Sequence, residues 1–284
     1  MNKTRLTTLC HTVSKETGLT FNSVMLYYFL ESLLKKLSKG KCSENYIFKG
    51  GFLLSNVVGI GSRSTMDIDL LFQNVLISEE KVFEMLNESL RVNEEDEIKY
   101  EIMNIQSIKE QDRYGGYRVS ILCKFENLRQ VIPLDIATGD VITPQPINYS
   151  FSSVFGYEKI YIKAYPIETI IAEKLQTVYA KGFLNSRSKD YYDLHILYKL
   201  RNKEIDIPTL SKACKRTFYY RKTEFSIIKI QRFLEQIRQD TAFLKLWNNY
   251  SNKNTYVGDI SFEVVIDDVI QLVNKIGECR QLIE

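Results

Sequence analysis

Apolar residues recur at helical spacing from the start of the chain. Leu6, Leu9, Cys10 and Val13 fall on one helical face, and Gly18 is placed to end that helix. A second stripe of Leu26, Phe29, Leu30, Leu33, Leu34 and Leu37 predicts a longer helix, capped by Thr20 or Asn22 and closed by Gly40. Both helices are expected to pack behind a sheet in a structural role. The period then changes. Tyr46-Ile47-Phe48 suits a short buried strand, and Phe52 to Val58 suits a short buried helix after Gly50-Gly51. Met66 to Phe72 alternates: Ile68, Leu70 and Phe72 share one face of a strand, and Asp67 and Asp69 share the other.

Further on, Ser78 is placed to cap an acidic helix from Glu79 to Leu90, with Val82, Phe83, Leu86 and Leu90 inward. The polar residues 93–97 predict a loop. Residues 98–108 and 117–125 read as two strands of a hairpin around the Gly115-Gly116 turn signal, and 129–137 reads as a third strand. In that third strand Val131, Pro133, Asp135 and Ala137 lie on one face, and Ile132, Leu134 and Ile136 on the other. Four of the five prolines fall between positions 133 and 166, so this stretch predicts an extended connection ending in a domain boundary near Pro166.

From Pro166 the strand signal gives way to helices. Pro166 suits the first position of a helix whose stripe runs Ile167, Ile170, Ile171, Lys174, Leu175 and Val178. The next helix carries Asp193, Ile196, Leu197 and Leu200 on one stripe. Segments near 208–218, 223–238, 240–250 and 260–280 each carry an apolar stripe, with Trp247 and the last helix closing the core. The expected architecture is α+β: a mixed-sheet domain over 1–165, preceded by its two helices, and an all-helical domain over 166–284.

A net charge of +3 does not make the whole molecule a nucleic-acid binder, so any basic surface has to be local. The five cysteines form no C-x-x-C pair; their odd number and lack of zinc spacing read as free thiols in a reducing compartment. Residues 1–14 lack the long apolar core of a signal peptide, and no apolar run approaches a membrane span. A cytoplasmic protein without membrane contact is expected.

Candidate chemistry starts at Asp67 and Asp69. Two carboxylates side by side on a strand repel each other unless a cation lies between them. A hard divalent ion takes such oxygens and leaves room for phosphates. A bare D-x-D is common on solvated strand faces. Here, however, a Lys49-Gly50-Gly51 turn stands sixteen residues before Asp67, which gives a strand, a Gly-Gly turn, a helix and a strand bearing D-x-D. Asp135 is a lone acid in an apolar strand, where an unpaired charge is costly. It reads either as a strand end reaching solvent or as a third carboxylate of the same site. Lys174 and Asp193 lie within apolar stripes, so Lys174 either snorkels to solvent or meets an anion.

Lys49-Gly50-Gly51 followed by Arg63-Ser64-Thr65-Met66-Asp67-Ile68-Asp69 resembles the first motif of the nucleotidyltransferase fold, and in particular the AbiEii/AbiGii-type toxin nucleotidyltransferases, with the MenT-type toxins in the same group. Ala172-Glu173-Lys174-Leu175 is similar to that family's A-E-K-L helix motif. Lys189-Asp190-x-x-Asp193-Leu194 is similar to its last catalytic motif. The chain departs from the pattern at Phe52, where most nucleotidyltransferases carry Ser or Thr. A hydroxyl contact to the triphosphate is therefore left to backbone N–H groups of Gly50 and Gly51 or to the hydroxyls of Ser62 or Thr65.

The resemblance implies a nucleotidyltransferase-fold N-terminal domain and transfer of a nucleoside monophosphate from a nucleoside triphosphate (NTP). It implies Asp67, Asp69 and Asp135 as ligands of Mg2+ or Mn2+, and Asp67, Asp69, Lys174 and Asp193 as catalytic residues. Lys49, Gly50, Gly51, Ser62, Arg63 and Thr65 would meet the nucleotide. The implied acceptor is RNA, at the 3′ end of tRNA, in a toxin that blocks translation and is checked by a separately encoded antitoxin. Arg187 and Lys189, with the basic cluster of Lys212, Lys215, Arg216, Arg221 and Lys222 around Phe218, Tyr219 and Tyr220, are the candidate RNA contacts; such a cluster is otherwise a solvated face. Transfer to a protein hydroxyl or a small molecule, and a non-catalytic nucleotide-binding module, are the alternatives.

Overall fold

A computed structural model describes residues 1–91, 93, 96–108, 115–156 and 159–281. By backbone contact the chain forms two compact units. One comprises Met1–Asp140 with Pro146–Ala164, and the other Val141–Gln145 with Tyr165–Glu284. Among the described residues no helix is long and apolar enough to cross a membrane.

In the first unit, α1 (Lys3–Thr17) ends at Gly18, whose left-handed backbone suits glycine. Thr20 rather than Asn22 caps α2 (Phe21–Lys39), its side chain accepting from the Ser23 N–H. Seven strands form one sheet: β1 (Tyr46–Lys49), β2 (Ile68–Phe72), β3 (Lys99–Ile108), β4 (Gly116–Phe125), β5 (Leu128–Thr138), β6 (Ile147–Phe151) and β7 (Ile160–Ala164). Their order is β3-β4-β5-β2-β1-β7-β6. The β2–β5 and β1–β7 pairs are parallel and the others antiparallel, so the sheet is mixed. α3 (Gly50–Val58) joins β1 to β2, and α4 (Glu79–Ser89) is capped by Ser78. The fold class is α+β.

The core of this unit follows the alternation. Ile68 and Leu70 of β2, Val119, Ile121 and Cys123 of β4, and Ile132, Leu134 and Ile136 of β5 are buried together with the stripe of α2. The opposite face of β4 and β5 carries Arg118, Ser120, Asp135 and Pro133 and is half-buried to exposed.

Three expectations need correction. The stretch after Asp140 is not merely a connection, because β6 and β7 complete the sheet there. Its signal was the alternation of buried Ile160, Ile162 and Ala164 with exposed Tyr161, obscured by the nearby prolines. In α4 the inward residue is Met85, while Phe83 is half-exposed. Leu200 is likewise half-exposed rather than part of a buried stripe. The loop expected at 93–97 lies partly outside the described residues, as does the tip joining β3 to β4.

The second unit is helical: α5 (Ile167–Lys181), α6 (Ser188–Arg201), α7 (Ile207–Tyr220), α8 (Ile227–Ile237), α9 (Thr241–Lys253) and α10 (Phe262–Gln281). α5 packs on α6 and α7, and α10 packs on α6, α7 and α8. Buried Trp247 stacks among Tyr192, Tyr250 and Phe262 and donates its indole N–H to Ile260 O at 2.9 Å. That bond satisfies the one polar atom an indole brings into a core.

Candidate active site

Three candidate residues of the first unit, Lys49, Asp69 and Asp135, lie in one row across the sheet. Strand register pairs Lys49 with Asp69, Asp69 with Asp135, Asp135 with Arg118, and Arg118 with Gln106. Register partners project to the same face of a sheet. The row therefore runs cation, anion, anion, cation, amide over β1, β2, β5, β4 and β3. Asp67 precedes β2 by one residue and accepts a hydrogen bond from the Thr65 hydroxyl at 2.8 Å. Burial, and then the neighbouring charge of Asp67, push the Asp69 carboxyl up to about 6; Asp135 adds to this, while Lys49 and the Gly51 N–H oppose it.

The Gly-Gly turn is fitted to Asp69. Gly50 has φ +73°, and a Cβ there would lie 1.8 Å from Asp69 Oδ2. The Gly51 N–H donates to the same oxygen at 3.3 Å. Glycine thus serves first to let β2 pass its carboxylate beside the start of α3. Gly51 also abuts the loop before β2: a Cβ on it would lie 2.8 Å from Thr65 Oγ1 and 3.7 Å from Arg63 Nη2. Arg63 is buried, donates to Ser64 O, and its own carbonyl accepts from the Tyr27 hydroxyl at 3.2 Å. Ser62 lies half-buried in the preceding turn, its N–H donating to Gly59 O at 3.0 Å. Phe52 is fully buried against Tyr27, Phe48 and Phe151, with ring centroids 5.6, 5.6 and 5.1 Å away. The departure from Ser or Thr at this position therefore has a packing reason.

Two basic residues close the ends of the acidic row. Lys49 Nζ meets Asp140 Oδ2 at 2.5 Å, and both side chains are largely buried. Arg118 makes a two-pronged pair with Asp135, Nε to Oδ1 at 2.7 Å and Nη2 to Oδ2 at 2.6 Å. Arg118, Asp140 and Asp190 are the residues that reading the sequence did not single out for these roles. For Arg118 the signal was available: the two-residue turn Glu126-Asn127 pairs Phe125 with Leu128, and counting back along both strands pairs Arg118 with Asp135.

The donor set fits a divalent cation at Asp67 and Asp69. These carboxylates are crowded enough that a proton or a cation relieves them, and oxygen is the donor a hard ion prefers. As the side chains stand, no group of three or more His, Cys, Asp or Glu among the described residues is arranged to hold a metal. Both oxygens of Asp135 accept from Arg118.

In the helical unit, Lys174 of α5 meets two carboxylates of α6. Its Nζ lies 2.6 Å from Asp193 Oδ2 and 3.2 Å from Asp190 Oδ1. Asp193 is fully buried and Asp190 nearly so. Lys174 therefore meets anions rather than snorkelling. Arg187 Nε stands 3.8 Å from Asp190 Oδ2, and Lys189 is exposed. Arg221 bonds Glu173, Gln176 and Thr177, and Arg216 reaches Ile142 O and Thr143 Oγ1. Lys212, Lys215 and Lys222 are exposed beside Tyr219, which is 86% exposed.

Residues 32–267 match the model of the family described as nucleotidyl transferase AbiEii toxin, type IV toxin–antitoxin system. The chain belongs to this family. The match spans every motif from Lys49 to Asp193 and most of the helical unit. No curated protein matches the chain. Two solved structures are similar along nearly their whole length. One is a candidate nucleotidyltransferase from H. pylori, 17% identical with TM-score 0.50, covering 94% of this chain and 99% of that one. The other is JHP933 from Helicobacter pylori, 15% identical with TM-score 0.53, covering 93% and 96%. At these identities the likeness is one of fold. It spans both units of this chain.

Proposed function

We propose that this AbiEii family member is a toxin that transfers a nucleoside monophosphate from an NTP to a hydroxyl of RNA, with the 3′ end of tRNA as acceptor. The reading rests on one observation: Asp69 and Asp135 are register partners on parallel strands, with Asp67 two residues from Asp69 and the Gly50-Gly51 turn against the same carboxylate.

Asp67 and Asp69 hold Mg2+ or Mn2+, with Asp135 as the third carboxylate. When bound, such an ion lowers the pKa of an attacking hydroxyl and neutralises charge on the triphosphate. The acceptor oxygen bonds to the α-phosphorus as the bond to pyrophosphate breaks, and the hydroxyl proton passes to solvent. The Gly51 N–H keeps Asp69 oriented, and Thr65 does the same for Asp67. Lys174, fixed by Asp193 and Asp190 within the helical unit, is the ammonium that the motif resemblance assigns to phosphate charge. Blocking the tRNA 3′ end stops translation, and a separately encoded antitoxin restrains the activity.

The test is incubation with each α-labelled NTP, Mg2+ or Mn2+, and either total RNA or total protein. Label on tRNA that is lost in Asp67→Asn is the expected result. Label on protein or a small molecule would replace the acceptor, and absence of transfer from any NTP would leave a nucleotide-binding module.

A further inference from the structure

Among the described residues, Arg118 is the cation bound directly to the acidic row on its β4 side. Its guanidinium takes both oxygens of Asp135, yet the side chain remains 52% exposed, against 21% for Asp135. Asp67 and Asp69 add smaller contributions to its electrostatic environment, after Asp135. The two-pronged geometry makes this a strong pair, but the half-exposed guanidinium can be reached from solvent, so a cation that competes for Asp135 can displace it without unfolding the strand. An arginine fork matches phosphate oxygens as well as it matches a carboxylate.

We propose that Arg118 is a displaceable counterion: it occupies Asp135 in the metal-free protein, and once Asp135 is claimed by a divalent cation its guanidinium turns to the phosphates of the nucleotide. The idea rests on the nucleotidyltransferase reading above and goes beyond it. It assigns a phosphate ligand outside the Gly-Gly turn and makes cation and arginine competitors for one carboxylate. Because Arg118 is anchored on β4 directly beside Asp135, the released guanidinium stays within a side chain's length of anions carried with the cation. Two effects of opposite sign follow. Arg118 opposes the bare cation and favours the nucleotide.

The experiment is a pair of binding titrations on the full chain, Mn2+ alone by electron paramagnetic resonance and Mg2+–NTP by calorimetry. Arg118→Gln is expected to bind Mn2+ about tenfold more tightly than the parent, since a neighbouring positive charge is gone. The same variant is expected to bind Mg2+–NTP about tenfold more weakly, through loss of a charge-assisted phosphate contact. Arg118→Lys keeps the charge without the fork, so it should match the parent for Mn2+ and fall short for NTP. Unchanged Mn2+ affinity in Arg118→Gln, or unchanged NTP affinity, overturns the proposal. Asp67→Asn separates the two readings. Mn2+ binding that survives in it sinks the metal site and the displacement together, whereas a site lost in Asp67→Asn but indifferent to Arg118 sinks the displacement alone.

Discussion

A Cβ on Gly50 would stand 1.8 Å from Asp69 Oδ2, and the backbone of Gly50 is already in the left-handed region at φ +73°. The close approach and the torsion make the same demand at one position. Gly50→Ala is expected to destabilise the first unit by about 3 kcal/mol, combining left-handed strain with overpacking against a buried carboxylate. Gly51→Ala is milder, because its new Cβ meets the rotatable hydroxyl of Thr65. Urea denaturation of the two variants checks this; a Gly50→Ala as stable as the parent contradicts the described turn.

Lys174 cannot be removed without structural cost. Its ammonium faces fully buried Asp193 and nearly buried Asp190. Taking one partner from a buried ion pair costs about 3 kcal/mol. Lys174→Ala should therefore lower the melting temperature, and Lys174→Ala with Asp193→Asn should regain part of the loss. Asp67→Asn should remove growth arrest on expression while melting close to the parent. A thermal melt beside each growth assay tells loss of chemistry from loss of fold.

Glu31 of α2 gives a stability dependence on pH. It is buried, accepts from Ser153 Oγ at 2.5 Å and from the Val154 N–H at 3.0 Å, and burial pushes its carboxyl up to about 7. A raised acid binds its proton more tightly when folded. Its contribution is complete below the ordinary value of 4.5 and is lost as pH rises through 7. Between pH 5 and 8 the parent should lose about 2 kcal/mol relative to Glu31→Gln, whose amide needs no proton and can donate to the Ser153 hydroxyl. Parallel curves for the two proteins would rule out this assignment.

In α7 and the turn after it, Arg216 and Arg221 already bond within the helical unit, and Lys212, Lys215 and Lys222 are exposed lysines. If they contact RNA phosphates, replacing all three by Gln should weaken RNA binding and flatten log affinity against log salt by about 2, at roughly 0.7 per contact with a single strand. NTP affinity should not change. An unaltered salt slope marks the cluster as a solvated face.

Much of the fold was legible because period and burial agree. The stripes of α2, α5 and α10 and the alternation of β2 and β5 each name their own inner face. The acidic row was partly legible for the same reason, since Asp67, Asp69 and Asp135 are polar positions in strands otherwise rich in apolar side chains. What stayed hidden depends on register and on distance along the chain. Arg118 looks like any outward residue until β4 is aligned to β5. The Lys49–Asp140 pair joins residues 91 positions apart, and no local pattern announces it. Phe52 reads as a defect in a phosphate-binding motif until its neighbours Tyr27, Phe48 and Phe151 are placed, all of them outside the motif.

The five residues Val141–Gln145 belong to the helical unit although sheet residues flank them on both sides. The Thr143 N–H donates to Thr169 Oγ1 at 2.9 Å, that hydroxyl returns a bond to Thr143 O at 3.0 Å, and Arg216 reaches Thr143 Oγ1 at 3.2 Å. A gene cut once after Ala164 would leave this pentapeptide on a fragment that lacks its partners. Grafting one unit onto a relative requires separate splices around 141–145 and at Tyr165. Recombination at a single junction would be expected to yield chimaeras that misfold.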